Sequence, residues 1–328
     1  MDNRSIAGYP IRIRTMTETE REEATMLQQM IVLFLVMLIG LIAYKMDYIN
    51  DNASKKLSSI VVNIANPALI LSSILGMDNT VTGKNLLVTM VIAVTLFASL
   101  LVLAIFVPWL FRVDKSSYGA YRVMTVFSNI GFMGFPIISA VYGNSALLYG
   151  TLFLIPYNVL IYTYGIYTMK QRAGDEKEPF RLGLICNSGV IACVLAIVLF
   201  ALGVKLPAFL GSVISMLSNL TAPLSMMVIG ASMATIDLKK LAGDYKLLLF
   251  AGFKLLLVPV IGTLVVRQLV ENEVICGVTM VMLATPVGSM TAMLAQEYEG
   301  DYELASKGVM LTTLLSVVTL PVVSAIVG

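Results

Sequence analysis

The sequence predicts an all-α integral membrane protein with ten transmembrane helices, arranged as two inverted five-helix repeats in which helices 4 and 9 are broken and cross. Three observations lead to this prediction: the composition, the number of apolar stretches, and the prolines within two of them. Of the 328 residues, 58% are hydrophobic and only 13% are charged, whereas soluble proteins carry about 25% charged residues. A soluble core could not bury so much apolar surface, so we expect the lipid bilayer to surround the chain.

Ten apolar stretches meet the length of about 20 residues that a membrane-spanning helix needs. They are residues 26–45, 56–76, 85–111, 118–142, 145–169, 182–203, 208–233, 247–269, 274–296 and 304–327. The longest polar connection falls between the fifth and sixth stretches. The predicted organisation is a polar tail (1–25), a first repeat (26–170), a cytoplasmic linker (171–181) and a second repeat (182–328).

Positive residues predict the orientation, because lysine and arginine are enriched in cytoplasmic loops. Fourteen of them lie in the odd-numbered connections and three in the even-numbered ones. The odd connections are therefore predicted to be cytoplasmic. We expect a multi-pass protein of the plasma membrane with both termini outside.

Two halves of five spans each must have opposite orientations if they are homologous, since five is an odd number. Four pairs of identical or similar residues share an offset of 156 positions. They are Pro67 with Pro223, Asn129 with Thr285, Ser59 with Ser215, and Tyr142 with Tyr298. Inverted repeats of this kind build many secondary transporters.

The fourth and ninth spans each carry a proline near the membrane midplane. Pro136 cannot donate to the carbonyl of Phe132, and Pro286 likewise frees the carbonyl of Met282. Backbone groups freed in lipid must be satisfied by protein or by a water-filled cavity. A pair of broken helices presents unpaired N–H groups and partial positive charge, which favours an anion. The candidate substrate-binding residues at the breaks are Asn129, Ile130, Gly131, Gly134, Pro136, Thr285, Pro286, Val287 and Gly288.

Two alternatives stay open at this point. The prolines could be ordinary kinks, which are common in membrane helices. The register of the repeat is also open, because matching Pro136 to Pro286 requires an offset of 150 positions instead of 156.

Four further polar residues within the spans are candidates for substrate binding. Lys254 lies about 12 Å from the cytoplasmic end of span 8, at eight residues' depth. It could snorkel to the surface, balance a bound carboxylate, or release a proton. Asn63 and Asn66 share a helix face and could line the path or bond neighbouring helices, and Asn158 lies in span 5.

The composition also limits the chemistry. The chain has no histidine and three cysteines without metal-binding spacing, and no Asp or Glu lies deep in a span. We therefore expect no metal, no cofactor and no nucleic acid partner. An intramembrane hydrolase would need a histidine base or a pair of facing acids, so we expect that the protein is not an enzyme.

The motifs in four places resemble those of the auxin efflux carrier family, which includes plant auxin transporters and bacterial organic-acid carriers. The first is Asn66-Pro67-Ala68-Leu69, and the second runs from Asn129 through Met133-Gly134-Phe135-Pro136. The others are Lys254 to Pro259, and Pro286 followed by Leu294-Ala295-Gln296-Glu297-Tyr298.

This resemblance implies the fold of the bile acid:sodium symporters. Spans 1, 2, 6 and 7 would form a scaffold and a homodimer surface, and spans 3–5 and 8–10 would form a transport domain that moves like an elevator. The substrate would be a small organic anion, and the short linker is typical of bacterial members. A sodium-coupled symporter and a transport-inactive membrane sensor with the same fold remain the alternatives.

Overall fold

The computed structural model describes residues 18–75, 82–170, 188–204, 206–234, 244–298 and 300–327. Within these ranges the chain is helical, and the β pairing found there is one isolated antiparallel bridge between Ser128 and Val287. Most of the predicted tail (residues 1–17) and the whole predicted linker (171–181) lie outside the described residues. The first helix begins at Glu18, eight positions before the expected start of span 1, because the preceding segment is rich in the strong helix formers Glu and Arg.

The helices are named here in chain order. In the first half they are α1 (Glu18–Lys45), α2 (Asp51–Ile60, Val61–Ala65 and Asn66–Ser72), α3 (Gly83–Leu110), α4a (Tyr118–Val126), α4b (Ile130–Tyr142) and α5 (Asn144–Met169). In the second half they are α6 (Ser188–Ala201), α7 (Ala208–Met233), α8 (Tyr245–Leu269), α9a (Glu273–Ala284), α9b (Met290–Glu297) and α10 (Tyr302–Val327).

Six stretches of the described residues are long and apolar enough to cross a membrane. They lie in α1, α3, α5, α7, α8 and α10, and α4b, α6 and α9a are shorter apolar helices. The chain is therefore a multi-pass helical membrane protein. The ten-span inverted repeat stays a prediction, because α6 and the separate halves of α4 and α9 are shorter than a membrane-spanning helix and α2 carries polar residues.

Three helices contain a single turn of π-helix that ends two residues before a proline. These turns are Val61–Ala65 before Pro67, Ile130–Gly134 before Pro136, and Phe253–Leu257 before Pro259. Proline lacks the N–H donor and crowds the carbonyl four residues earlier, which favours a wider preceding turn with bonds that span five residues. A fourth such turn, Ile161–Gly165 in α5, has no proline after it. The sequence thus places a local loosening of the helix at each of these prolines.

Two glycines bring α1 and α7 into backbone contact. A Cβ atom on Gly40 would overlap the backbone of Met227, and one on Gly230 would overlap the carbonyl of Met37. Small residues allow this close approach in membranes, where helices associate mainly through packing contacts. The α1–α7 pair is therefore packed backbone to backbone, and α4b lies against both helices.

Candidate functional site

The break in α4 is a short extended link between its two halves. The first half closes with the bond from Phe127 N–H to the Val123 carbonyl at 3.0 Å. The backbone then leaves helical geometry at Phe127 (φ −103°, ψ 100°) and Asn129 (φ −81°, ψ 60°). The second half starts at Ile130, so the chain exposes one helix end on each side of the link.

The break in α9 is shaped by its proline. Thr285 is extended (φ −63°, ψ 146°), as expected for a residue that precedes proline. Its hydroxyl donates to the Met282 carbonyl at 3.1 Å, the group that Pro286 leaves without an N–H partner. The freed carbonyl predicted from the sequence is thus satisfied within the same helix.

The two breaks cross and pair through their backbones. Asn129 N–H donates to the Pro286 carbonyl at 2.7 Å, and Gly288 N–H donates to the Phe127 carbonyl at 2.9 Å. A Cβ on Gly288 would lie 3.1 Å from the Ser128 carbonyl oxygen, so the crossing is close enough to favour glycine there. The crossing expected from the two proline-containing spans is therefore present, and it brings Asn129 and Pro286 together.

The Asn129 side chain has one satisfied and one unsatisfied end. Its Oδ1 accepts from Phe132 N–H at 3.3 Å and so caps α4b. Since this bond fixes the oxygen, the Nδ2 group is the one left over. Asn129 is 5% exposed, and its buried Nδ2 has no hydrogen-bond partner among the described residues. A buried donor without an acceptor costs about 1–3 kcal/mol, which a ligand could recover.

Backbone donors at the two helix starts add to this unpaired group. Within the described part of the chain, the N–H groups of Gly131, Ser289 and Met290 have no hydrogen-bond acceptor. The N–H of Val287, by contrast, donates to the Thr312 hydroxyl at 3.1 Å. The starts of α4b and α9b thus both carry free donors, each at the positive end of a helix dipole.

Helices α2 and α7 contact α4b from the other side. The Asn66 Nδ2 atom lies 3.2 Å from where a Cβ on Gly131 would be. Asn66 Oδ1 is buried and, among the described residues, has no partner. Ser225 Oγ of α7 lies 3.1 Å from the Phe132 carbonyl oxygen, the group that Pro136 frees, and it shares its one proton between this oxygen and the Thr221 carbonyl of its own helix. An unpaired acceptor and an unpaired donor therefore lie near the start of α4b.

Lys254 is enclosed at the crossing and does not snorkel. Its side chain is 0% exposed, and Nζ donates to the Thr125 carbonyl at 3.2 Å and to Ser128 Oγ at 2.8 Å. The snorkelling alternative is therefore wrong. The break in α4 provides the acceptors that hold the lysine inside.

The remaining candidates divide into two groups. Gly134 and Pro136 are buried within α4b, and a Cβ on Gly134 would lie 3.5 Å from Thr285 Cγ2, so this part of α4b packs on the second break. Among the described residues, Asn63 makes its hydrogen bonds away from the crossing. Asn63 is exposed and accepts from Ser188 Oγ of α6 at 3.1 Å, while Asn158 donates to the Leu154 carbonyl of its own helix at 2.8 Å.

Sequence reasoning missed four residues at the crossing. Ser128 Oγ accepts from Lys254, Ser225 Oγ lies against the Phe132 carbonyl of α4b, and Thr312 Oγ1 accepts from Val287 N–H at the second break. The Tyr157 ring packs edge-on against Phe127 at 5.4 Å between centroids. All four residues carry a hydroxyl group within an apolar span. Many other positions in the spans do so too, so this feature does not single them out.

The polar groups at the crossing are mainly hydrogen-bond donors. The described residues contain no group of three or more His, Cys, Asp or Glu side chains that could hold a metal ion. The neighbouring cavity beside Ser128 and Ile130 is apolar and about 20 Å³ in volume, which leaves room for a water-sized group only.

These features define a class: a multi-pass helical membrane protein with two broken helices that cross and expose helix starts inside the protein. The chain belongs to the membrane transport protein family, the family of the auxin efflux carriers, whose model matches residues 25–179 and 177–324. The predicted family membership is therefore confirmed.

Two relatives match nearly the whole chain, and a third matches about three fifths of it. An uncharacterized transporter from Methanothermobacter thermautotrophicus is 23% identical over 297 residues, which cover 90% of this chain and 96% of the relative. The uncharacterized transporter MJ1031 from Methanocaldococcus jannaschii is 25% identical over 303 residues, covering 89% and 95% respectively. The uncharacterized transporter YfdV from Escherichia coli K12 is 22% identical over 214 residues, covering 62% and 67%.

Proposed function

We propose that this membrane transporter is a secondary carrier of a small organic anion, which it binds as a carboxylate at the crossing of α4 and α9. The observation that carries the proposal is the buried Nδ2 donor of Asn129, which has no partner among the described residues. It lies at the start of α4b, where the helix dipole favours negative charge. One carboxylate oxygen would accept from Nδ2 and the other from a free backbone N–H group.

The character of the nearby groups favours an anion over a cation. The hydrogen-bond donors come from Asn129, Gly131 and the start of α9b. Lys254 adds a positive charge next to Ser128, to which its Nζ donates a hydrogen bond. The described residues place no acidic side chain in contact with Lys254. A cationic substrate would meet donors and a like charge, whereas a carboxylate would form charge-assisted hydrogen bonds.

The unpaired Oδ1 of Asn66 narrows the ligand further. An acceptor near the carboxylate site suits a substrate that also carries a donor, such as a hydroxy acid or a monoprotonated dicarboxylic acid. Such a ligand would leave neither amide group unsatisfied, which makes binding more selective than charge alone.

The proposed transport mechanism is an elevator-type movement of one group of helices against another. In this proposal α1, α2, α6 and α7 form the scaffold of a homodimer, and α3–α5 with α8–α10 form the transport domain. The contacts of Asn66 with Gly131 and of Ser225 with Phe132 then lie at the sliding boundary. The predicted orientation, with both termini outside the plasma membrane, belongs to the same proposal.

A melting screen of the purified protein tests the substrate class. Carboxylates, matched amides and matched amines are added at several pH values, with sodium or choline as the cation. A ligand that binds the folded form alone at 100 times its Kd stabilises it by about 2.7 kcal/mol. We expect a rise in melting temperature with carboxylates and none with the amides. A rise with amines alone would overturn the proposal.

Uptake into proteoliposomes separates the two alternatives. A carrier of the proposed kind accumulates the carboxylate found in the screen without a sodium gradient. Uptake that depends on a sodium gradient would favour the bile-acid type of symporter. Binding without any uptake or exchange would favour a membrane sensor that keeps the fold.

A further inference from the structure

Lys254 compensates for a hydrogen bond that the break in α4 removes. In a continuous helix the N–H of Asn129 would bond the Thr125 carbonyl four residues earlier. Here the Asn129 N–H bonds Pro286 on the other broken helix at 2.7 Å. The Thr125 carbonyl instead accepts from Lys254 Nζ at 3.2 Å, so a side chain of α8 replaces the missing donor.

The electrostatic surroundings of Lys254 come from backbone and hydroxyl groups. Thr125 belongs to the last turn of α4a, where the helix dipole places partial negative charge. The second acceptor is Ser128 Oγ at 2.8 Å. The ion pairs found in the described part of the chain, Arg267 with Glu273 and Lys307 with Glu303, involve other groups. Broken-helix transporters coordinate coupling cations with unwound backbone carbonyls and the carboxyl ends of half-helices, and Lys254 is held by such an end.

We infer that Lys254 is a resident cation that occupies the position of a coupling sodium ion, so that the crossing of α4 and α9 is stable without any bound metal cation. The ammonium group satisfies the freed carbonyl, balances the end of α4a, and repels a second cation from the same acceptors. Lys254 is a positioning residue in this inference. It acts through Thr125 and Ser128, and the inference does not depend on which molecule is carried.

The inference predicts how cations act on the melting temperature of the purified full-length protein without substrate. The wild type should melt at the same temperature in sodium, potassium and choline chloride at equal ionic strength. Lys254→Ala removes the charge and leaves space for a small cation. Its melting temperature should fall and should rise again with ethylammonium or sodium chloride, but not with choline, which is too large for the space.

Lys254→Met is the matched control, because methionine fills most of the space and carries no charge. It should melt below the wild type and show no recovery with ethylammonium. Lys254→Arg and Lys254→Gln extend the test if the alanine variant does not fold. Arginine should keep the salt-independent melting of the wild type, and glutamine should not.

Two results would overturn the inference. One is a sodium-specific rise in the melting temperature of the wild type, which would show that a sodium site exists beside the lysine. The other is equal melting of the Arg and Gln variants, which would show that the charge at this position is irrelevant. Neither result depends on carboxylate binding, so this test and the test of the proposed function can fail separately.

Discussion

Replacing Asn129 with serine separates the two roles of its side chain. Serine and asparagine are about equally good helix N-caps, so the bond now made by Oδ1 to Phe132 N–H at 3.3 Å can be replaced by the serine hydroxyl. The Nδ2 donor is lost. Because that donor is buried and unpaired among the described residues, its removal should not destabilise the protein. The change therefore targets the ligand and spares the fold.

The expected changes in stability and affinity follow from the roles of Oδ1, which caps the helix, and Nδ2, which is free to bind a ligand. We expect Asn129→Ser to keep the free energy of unfolding within about 1 kcal/mol of the wild type, because the cap persists and a buried orphan donor disappears. A hydrogen bond to a charged group contributes about 1.5–3 kcal/mol, so the Kd for the carboxylate should rise about 10- to 150-fold. Asn129→Ala also loses the cap and should be about 1 kcal/mol less stable than the serine variant.

Equilibrium binding and thermal unfolding, measured on the same preparations, test this prediction. Asn272→Ser is the matched control, since Asn272 caps α9a through Oδ1 and Ile275 N–H at 3.1 Å and lies away from the crossing. It should leave carboxylate binding unchanged. Wild-type affinity in Asn129→Ser would refute the reasoning, and so would an equal loss of affinity in the control.

Three further substitutions test the packing around the crossing by thermal unfolding. Gly230→Ala should destabilise by about 1–3 kcal/mol because its Cβ would overlap an α1 carbonyl, whereas Gly252→Ala, with nothing within 4 Å of its Cβ, should be neutral or slightly stabilising. Ser225→Ala should cost about 1 kcal/mol, because the buried hydroxyl proton shared between the Phe132 and Thr221 carbonyls is lost. Thr312→Val should cost about 1–3 kcal/mol by leaving Val287 N–H without its acceptor.

Each of these predictions would be contradicted by a specific result. Equal melting of the Gly230 and Gly252 variants would mean that α1 and α7 are not in backbone contact. Unchanged melting of the Ser225 or Thr312 variant would mean that the carbonyl or N–H group concerned is satisfied in another way.

The fold class could be predicted from the sequence because its main determinants are local. Composition predicts that the chain lies in lipid, and Pro286 ends the helix that precedes it. Pro136, by contrast, lies within α4b, and the break in α4 falls at Phe127 to Asn129. Asn129 could be singled out for the same reason, since a cap acts on the helix that directly follows it. The pairing of Asn129 with Pro286 depends instead on how two spans far apart in the chain meet, which neither break determines by itself.

Contacts between helices could not be read from the sequence in the same way. Ser225 Oγ lies 3.1 Å from the Phe132 carbonyl oxygen on another helix and 2.5 Å from the Thr221 carbonyl oxygen on its own helix, and it has one proton to donate between them. A serine in any apolar helix can form the local bond, so the residue type does not reveal the second partner. Asn63 shows the opposite case. Its position on one helix face with Asn66 favours a role in lining the substrate path, yet it accepts a hydrogen bond from Ser188 of α6.

Lys254 shows why depth in a span is insufficient to predict the environment of a charged residue. Counting residues places it about 12 Å from the cytoplasmic end of its span, within reach of the surface for a long side chain. It is buried because the Thr125 carbonyl is available, and that carbonyl is available because Asn129 N–H has turned to Pro286. The burial of a residue in α8 thus depends on a hydrogen bond exchanged between α4 and α9. A change that restored helical geometry at Asn129 would remove the acceptor and with it the reason for the lysine to remain inside.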